Sequence, residues 1–141
     1  LKPATEARVI ISASVRNTAS THDAEVRTGD VARTLAVAAK AQGRGSSVNG
    51  GEFLMLALAT CYCNDLFREA ARLGITIDSV EVQASADFEG IGLAASNIRY
   101  RARVESPAPA SQIQQLLQET DAVAEVHNTL RAGVPVSLLS G

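Results

Sequence analysis

Polar and apolar residues alternate over residues 8–16. Val9, Ile11, Ala13 and Val15 fall on one face, and Arg8, Ser12, Ser14 and Arg16 on the other, the pattern of an antiparallel strand with one wet face. Residues 17–21 read as a turn. Residues 23–28 alternate again, Gly29-Asp30 marks a tight turn, and residues 31–39 make a third strand candidate, in hairpin with the second. The alternation then stops in a Gly- and Ser-rich loop over residues 40–51. Residues 52–73, EFLMLALATCYCNDLFREAARL, predict one helix about 33 Å long. Glu52 lies in its first turn, Arg68 and Arg72 in its last turns, and Gly74 follows as a left-handed stop. Between Phe53 and Cys63 the helix is apolar on nearly every side, so burial all round is expected; further on, Leu66, Phe67, Ala70 and Leu73 turn inward and Arg68, Glu69 and Arg72 outward.

Alternation returns over residues 75–88, with Val80, Val82, Ala84, Ala86 and Phe88 on one face. It returns again over residues 97–105, where Ile98, Tyr100, Ala102 and Val104 oppose Arg99, Arg101 and Arg103. As an antiparallel pair, these strands set Glu81 and Asp87 on the same face as the arginine row, which reads as a solvated, ion-paired face. After Ser106-Pro107-Ala108-Pro109, residues 110–120 and 121–132 predict two helices, and residues 134–139 a closing strand. The expected order is βββ-α-ββ-α-α-β: one α+β domain over residues 1–141, with antiparallel sheets around a long buried central helix. A helix apolar on all sides needs more cover than one small sheet, and a second copy of the chain supplies it, so a homodimer is expected.

Composition narrows the class. The 141 residues are 46% hydrophobic with 4% aromatics and no Trp, so the core is aliphatic. A net charge of −2 gives no electrostatic case for nucleic acid or an acidic membrane. The central apolar block is shorter than the roughly 20 residues of a membrane span, and the first residues lack the apolar run of a signal peptide, so the expected compartment is the cytoplasm.

Chemistry concentrates on the central helix, which holds both cysteines, Cys61 and Cys63. Two residues apart, they point about 200° away from each other, which suits neither a disulfide nor a shared metal. A set of Cys61, Cys63, Asp65 and His127 lacks the paired ligand spacing of a structural zinc site, and no metal or cofactor is expected. A Cys61–His127 pair for acyl transfer lacks an oxyanion loop, and His22 falls in a solvated turn. Cys61 lies too far along the helix for its dipole to help, so a reactive thiolate there needs a cation from elsewhere, with Arg27, Arg33 and Arg44 as candidates.

The stretch SSVNGGEFLMLALATCYCNDLFREAARLGITIDSVEVQASADFE and the tail VAEVHNTLRAGVPVSLL resemble the OsmC/Ohr family of small thiol peroxidases. The shared features are the Gly/Asn loop, a buried helix with Cys61 after Ala59-Thr60, and an Asn-Thr-Leu helix before the last segment. The resemblance implies an OsmC-like fold in an intertwined homodimer. It implies a helix cysteine that attacks an organic hydroperoxide and becomes a sulfenic acid, with a second cysteine resolving it. Cys61 matches the first cysteine, whereas Ala124 occupies the position of the second. The supporting glutamate falls on Gly51, with Glu52 beside it. The implied catalytic set is Cys61, Glu52 and, as substitute resolving thiol, Cys63; the implied partners are a hydroperoxide and an external thiol reductant. The alternative is a non-peroxidase dimer that binds a small apolar ligand in its inter-subunit cleft.

Overall fold

The computed structural model describes residues 8–141, and the chain forms two compact units, Leu1–Gly50 and Gly51–Gly141. The first unit is the expected meander. Strands β1 (Ile11–Asn17), β2 (His22–Thr28) and β3 (Val31–Leu35) form an antiparallel sheet in the order β1-β2-β3. The register pairs Ala13 with Val26 and Val15 with Ala24, so the apolar positions share one face. Gly29 holds the β2–β3 turn with φ of +59°, a conformation that costs a glycine nothing. The third strand is shorter than its pattern: it ends at Leu35, and the chain loops through a single bridge between Ala39 and Ser46.

The second unit carries helix α1 (Gly50–Leu73), strands β4 (Ser79–Asp87) and β5 (Ser96–Glu105), and helices α2 (Ala110–Val123) and α3 (Glu125–Ala132). Helix α1 closes as the sequence implies. Gly74 takes φ of +70°, its N–H donates to the Ala71 carbonyl at 3.3 Å, and the Ile75 N–H donates to the Ala70 carbonyl at 2.8 Å. Those two bonds satisfy carbonyls that a bare helix end leaves open. The β4–β5 register sets Glu81 opposite Arg103 and Gln83 opposite Arg101, and Asp87 pairs with Arg99 at 3.4 Å beside a bulge, as the two charge patterns require. The α+β class and the order βββ-α-ββ-α-α follow the sequence reading.

Three expectations are corrected. Residues 134–139 form no strand: Val136, Leu138 and Leu139 stand almost fully exposed, because no described strand runs beside them to pair with. Within one chain, helix α1 is covered along one stripe. It buries the stripe Leu58, Tyr62, Asp65, Leu66, Glu69 and Ala70 and leaves Leu56 and Phe67 exposed. An apolar run of this kind does not announce its inward phase; the cluster of Tyr62, Leu66, Ala70, Leu116 and Ala124 fixes it. That phase also reverses two assignments, turning Phe67 outward and Glu69 inward. Glu69 tolerates burial because Arg68 Nε lies 3.2 Å from one of its oxygens and Arg72 Nε 3.0 Å from the other. Element edges differ as well. Residues 75–78 lie outside β4, with Ile75 and Ile77 packed on the core, and α2 runs on to Val123 before the helix ends at Ala124.

Candidate functional site

Two helix elements bring the site together. Cys61 and Asp65 are four residues apart on α1, so their side chains meet on one face. The start of α3 brings in Glu125. Ala124, with ψ of 112°, breaks the helical path between α2 and α3 and is itself fully buried, which fixes where α3 begins. The carbonyls freed at the end of α2 are met from α3: Asn128 Nδ2 donates to the Ala122 carbonyl at 3.1 Å and Arg131 Nη1 to the Asp121 carbonyl at 3.2 Å.

At this junction the Cys61 thiol has two acceptors, Asp65 Oδ2 at 3.6 Å and Glu125 Oε2 at 3.7 Å. Both carboxylates are held from behind by one arginine. Arg68 Nη1 lies 3.2 Å from Asp65 Oδ1 and 3.0 Å from Glu125 Oε1. The guanidinium serves the carboxylates, and the carboxylates serve the sulfur.

The electrostatics follow from that order. Burial first, then the charges of Asp65 and Glu125, push the Cys61 thiol up, while a hydrogen bond from the Val126 backbone N–H at the start of α3 pulls it down without winning. Asp65 is raised by burial and by Glu125, against the pull of Arg68. Glu125 is lowered from its ordinary value by its own backbone N–H, by Asp65 and by Arg68, against burial. The two carboxyls are therefore shifted in opposite directions, Asp65 up and Glu125 down.

The expected residues divide accordingly. Glu52 sits exposed in the first turn of α1, nine residues and about 13 Å of helix rise from Cys61. Within one chain the carboxylates at the sulfur are instead Asp65 and Glu125. Cys63 is a free thiol on another side of α1, beside Ala59, Asn64 and Val82, where the 200° helical offset keeps it from resolving Cys61. Neither ring nitrogen of His127 has a hydrogen-bond partner among the described residues, so no Cys61–His127 pair forms. The ligand atoms of Cys61, Asp65 and Glu125 lie within 4.8 Å of one another, a grouping that includes neither Cys63 nor His127, and Arg68 already places its positive charge against both carboxylates. Asp65 and Arg68 were visible in the sequence as i+4 and i+3 neighbours; Glu125, 64 residues away, was not.

The family model for OsmC-like protein matches residues 43–139, which takes in the α1 cysteine and the α2–α3 junction. The chain belongs to the OsmC-like family. Solved structures agree on the fold. An OsmC-like protein from Mycoplasma pneumoniae superposes with a TM-score of 0.60 at 20% identity, over 89% of each chain. An OsmC-like hydroperoxide resistance protein from Jannaschia sp. CCS1 gives 0.54 at 15% identity, over 92% of this chain and 89% of that one. An OsmC-like protein of unknown function from Vibrio cholerae gives 0.55 at 12% identity, over 86% of this chain and 92% of that one. No curated protein matches the sequence. Among the described residues of this OsmC-like chain, no helix is long and apolar enough to cross a membrane.

Proposed function

We propose that the protein reduces organic hydroperoxides through Cys61, with Asp65 as its proton acceptor. The observation behind this reading is the thiol hydrogen bond to Asp65 Oδ2, in a carboxylate that burial has made more basic than usual. A relative described as a hydroperoxide resistance protein shares the fold. The thiol proton passes to Asp65 as the sulfur attacks the terminal oxygen of the hydroperoxide. The O–O bond breaks, the proton moves on to the leaving alkoxide to give the alcohol, and Cys61 becomes a sulfenic acid. An external thiol then attacks the sulfenic sulfur and releases water, and a second thiol attacks the mixed disulfide, frees the reductant as its disulfide and restores Cys61. Such a cycle needs a reducing compartment, which is why we assign the protein to the cytoplasm. With the Cys61 thiol pushed up by burial and the two carboxylates, the rate should climb with pH beyond the usual thiol range.

The second reading, a dimer that binds a small apolar ligand in its inter-subunit cleft, has one observation in its favour: the second-cysteine position is Ala124, fully buried and without a thiol. Stopped-flow reaction with cumene hydroperoxide separates the two. The wild type and Cys63→Ser should lose one thiol per chain faster than a free thiol does, and Cys61→Ser should not. Reaction no faster than free cysteine in the wild type would sink the peroxidase reading.

A further inference from the structure

Helix α3 is anchored by a side chain that can change its charge. Of its described residues, His127 alone is buried, 3% exposed. The ring packs against Tyr62 of α1 and Tyr100 of β5, with centroids 5.7 Å and 4.4 Å away. Both ring nitrogens are buried, and neither has a hydrogen-bond partner among the described residues. The other ties of α3 are polar and exposed. Asn128 Nδ2 and Arg131 Nη1 donate to the last carbonyls of α2, and Glu125 Oε1 meets Arg68 Nη1 at 3.0 Å. A helix of eight residues is marginal in water without packing, so α3 depends on the docked imidazole.

That dock suits a neutral ring and not a charged one. A protonated imidazole carries two N–H donors and needs acceptors for both. The groups that face it are engaged. From α1, the Tyr62 hydroxyl donates to the Leu117 carbonyl at 2.7 Å. From β5, the Tyr100 hydroxyl donates to Asp121 Oδ1, and that same oxygen on α2 takes Arg131 Nη2 at 2.7 Å. From α3 itself, Arg131 adds a like charge. Burial and Arg131 accordingly lower the His127 pKa from 6.5, against the pull of Asp121. A buried charge without a partner is costly, and the element with the fewest buried ties gives way first. We propose that protonation of His127 undocks α3 and draws Glu125 away from Cys61 and Arg68, so that acid opens the site around the thiol. Glu125 stands two residues before His127 on the same helix, with its Oε2 3.7 Å from the Cys61 sulfur. As regulation of the Cys61 site the inference rests on the function proposed above, but its test uses no peroxide, so the two can fail separately.

Amide hydrogen exchange of the folded chain at about pH 7.5 and about pH 5, corrected for intrinsic rates, reads the undocking. The amides of Thr129, Leu130 and Arg131 should exchange through an opening that those of Leu58, Tyr62 and Leu66 on α1 do not share. Their protection should fall toward the lower pH. The ceiling is about 30-fold, reached when the docked ring refuses the proton and the undocked ring takes it at its ordinary value of 6.5. In His127→Phe the fall should vanish. Alkylation of Cys61 in a Cys63→Ser background, with and without His127→Phe, should give a rate ratio that changes below pH 6.5, because only the chain with the imidazole withdraws Glu125. Should His127→Phe fail to fold, the contrast between α3 and α1 amides in the wild type and its growth in acid still decide. Equal protection of α3 and α1, no fall in α3 protection toward pH 5, a fall that survives in His127→Phe, or a rate ratio that is constant with pH would each overturn the proposal.

Discussion

At the scale of single residues, the position of Cys61 sets two demands against each other. A sulfur nucleophile gains from positive charge, yet this one has two carboxylates within 3.7 Å and an arginine engaged behind them. If Asp65 only burdens the thiol, its removal helps; if it carries the proton, its removal hurts. Asp65→Asn separates these. The midpoint of Cys61 alkylation by iodoacetamide should move to lower pH, because a raising charge is gone, while the rate with cumene hydroperoxide at neutral pH should fall about 100-fold with the proton acceptor. His127 gives a second residue-scale prediction. Its pKa is lowered from 6.5 by burial first and Arg131 second, with Asp121 opposing and the rings of Tyr62 and Tyr100 packed against it. The unfolded chain then binds a proton that the folded chain refuses. The stability this gives is present above pH 6.5 and is lost as pH falls through the folded value. Urea midpoints should decline from about pH 7.5 to about pH 5.5, and His127→Phe should flatten that decline. An equal slope in the variant would place the titration elsewhere.

Secondary structure was largely legible in the sequence, because β1, β2, β4 and β5 each keep a clean two-residue alternation and α1 ends at a glycine. The site was less so. Cys61, Asp65 and Arg68 share one helix face by spacing, but Glu125 joins them only through the break at Ala124, and no local pattern marks a tertiary junction. The orientation of α1 was hidden for a related reason: with apolar residues on all sides, Phe67 and Glu69 are sorted only by what packs beside them. The junction itself is testable. Ala124 is fully buried and packs with Tyr62, Leu66 and Leu116. Ala124→Cys adds one sulfur there, at an overpacking cost of about 1–3 kcal/mol read from urea unfolding. It also supplies the second thiol that the resemblance implies. One equivalent of hydroperoxide should then consume two thiols per chain, and mass spectrometry should find position 61 disulfide-linked to position 124. A sulfenic acid that persists at Cys61 would show that α3 holds the two positions too far apart.

At the scale of the whole molecule, several large apolar side chains stand together in the open. In the first unit, Ile11, Val15, Val31 and Leu35 are 74%, 66%, 49% and 40% exposed, and the register places them on one face of the β1-β2-β3 sheet. In the second unit, Leu56 and Phe67 mark an open stripe of α1. The segment Val134, Val136, Leu138 and Leu139 has the alternating content of a strand but no strand beside it among the described residues. Patches of this extent on soluble proteins mark interaction surfaces. A second copy is the partner that the sequence argument already favoured, since a two-fold pairing covers the same patch on both chains. Light scattering coupled to size-exclusion chromatography should return twice the 14.7 kDa chain mass at micromolar concentration. Truncation after Gly133 removes the unpaired segment and leaves α3 with its closing glycine, whose N–H bonds the Leu130 carbonyl at 3.1 Å. If that segment pairs across the dimer, the truncated chain should dissociate at concentrations where the full chain does not. Retention of helical circular dichroism would separate lost association from lost folding. A truncated chain that dimerises as tightly as the full one would leave the interface to α1 and the first sheet. A full chain that elutes as a stable monomer would exclude the dimer and leave these apolar faces without the cover proposed for them.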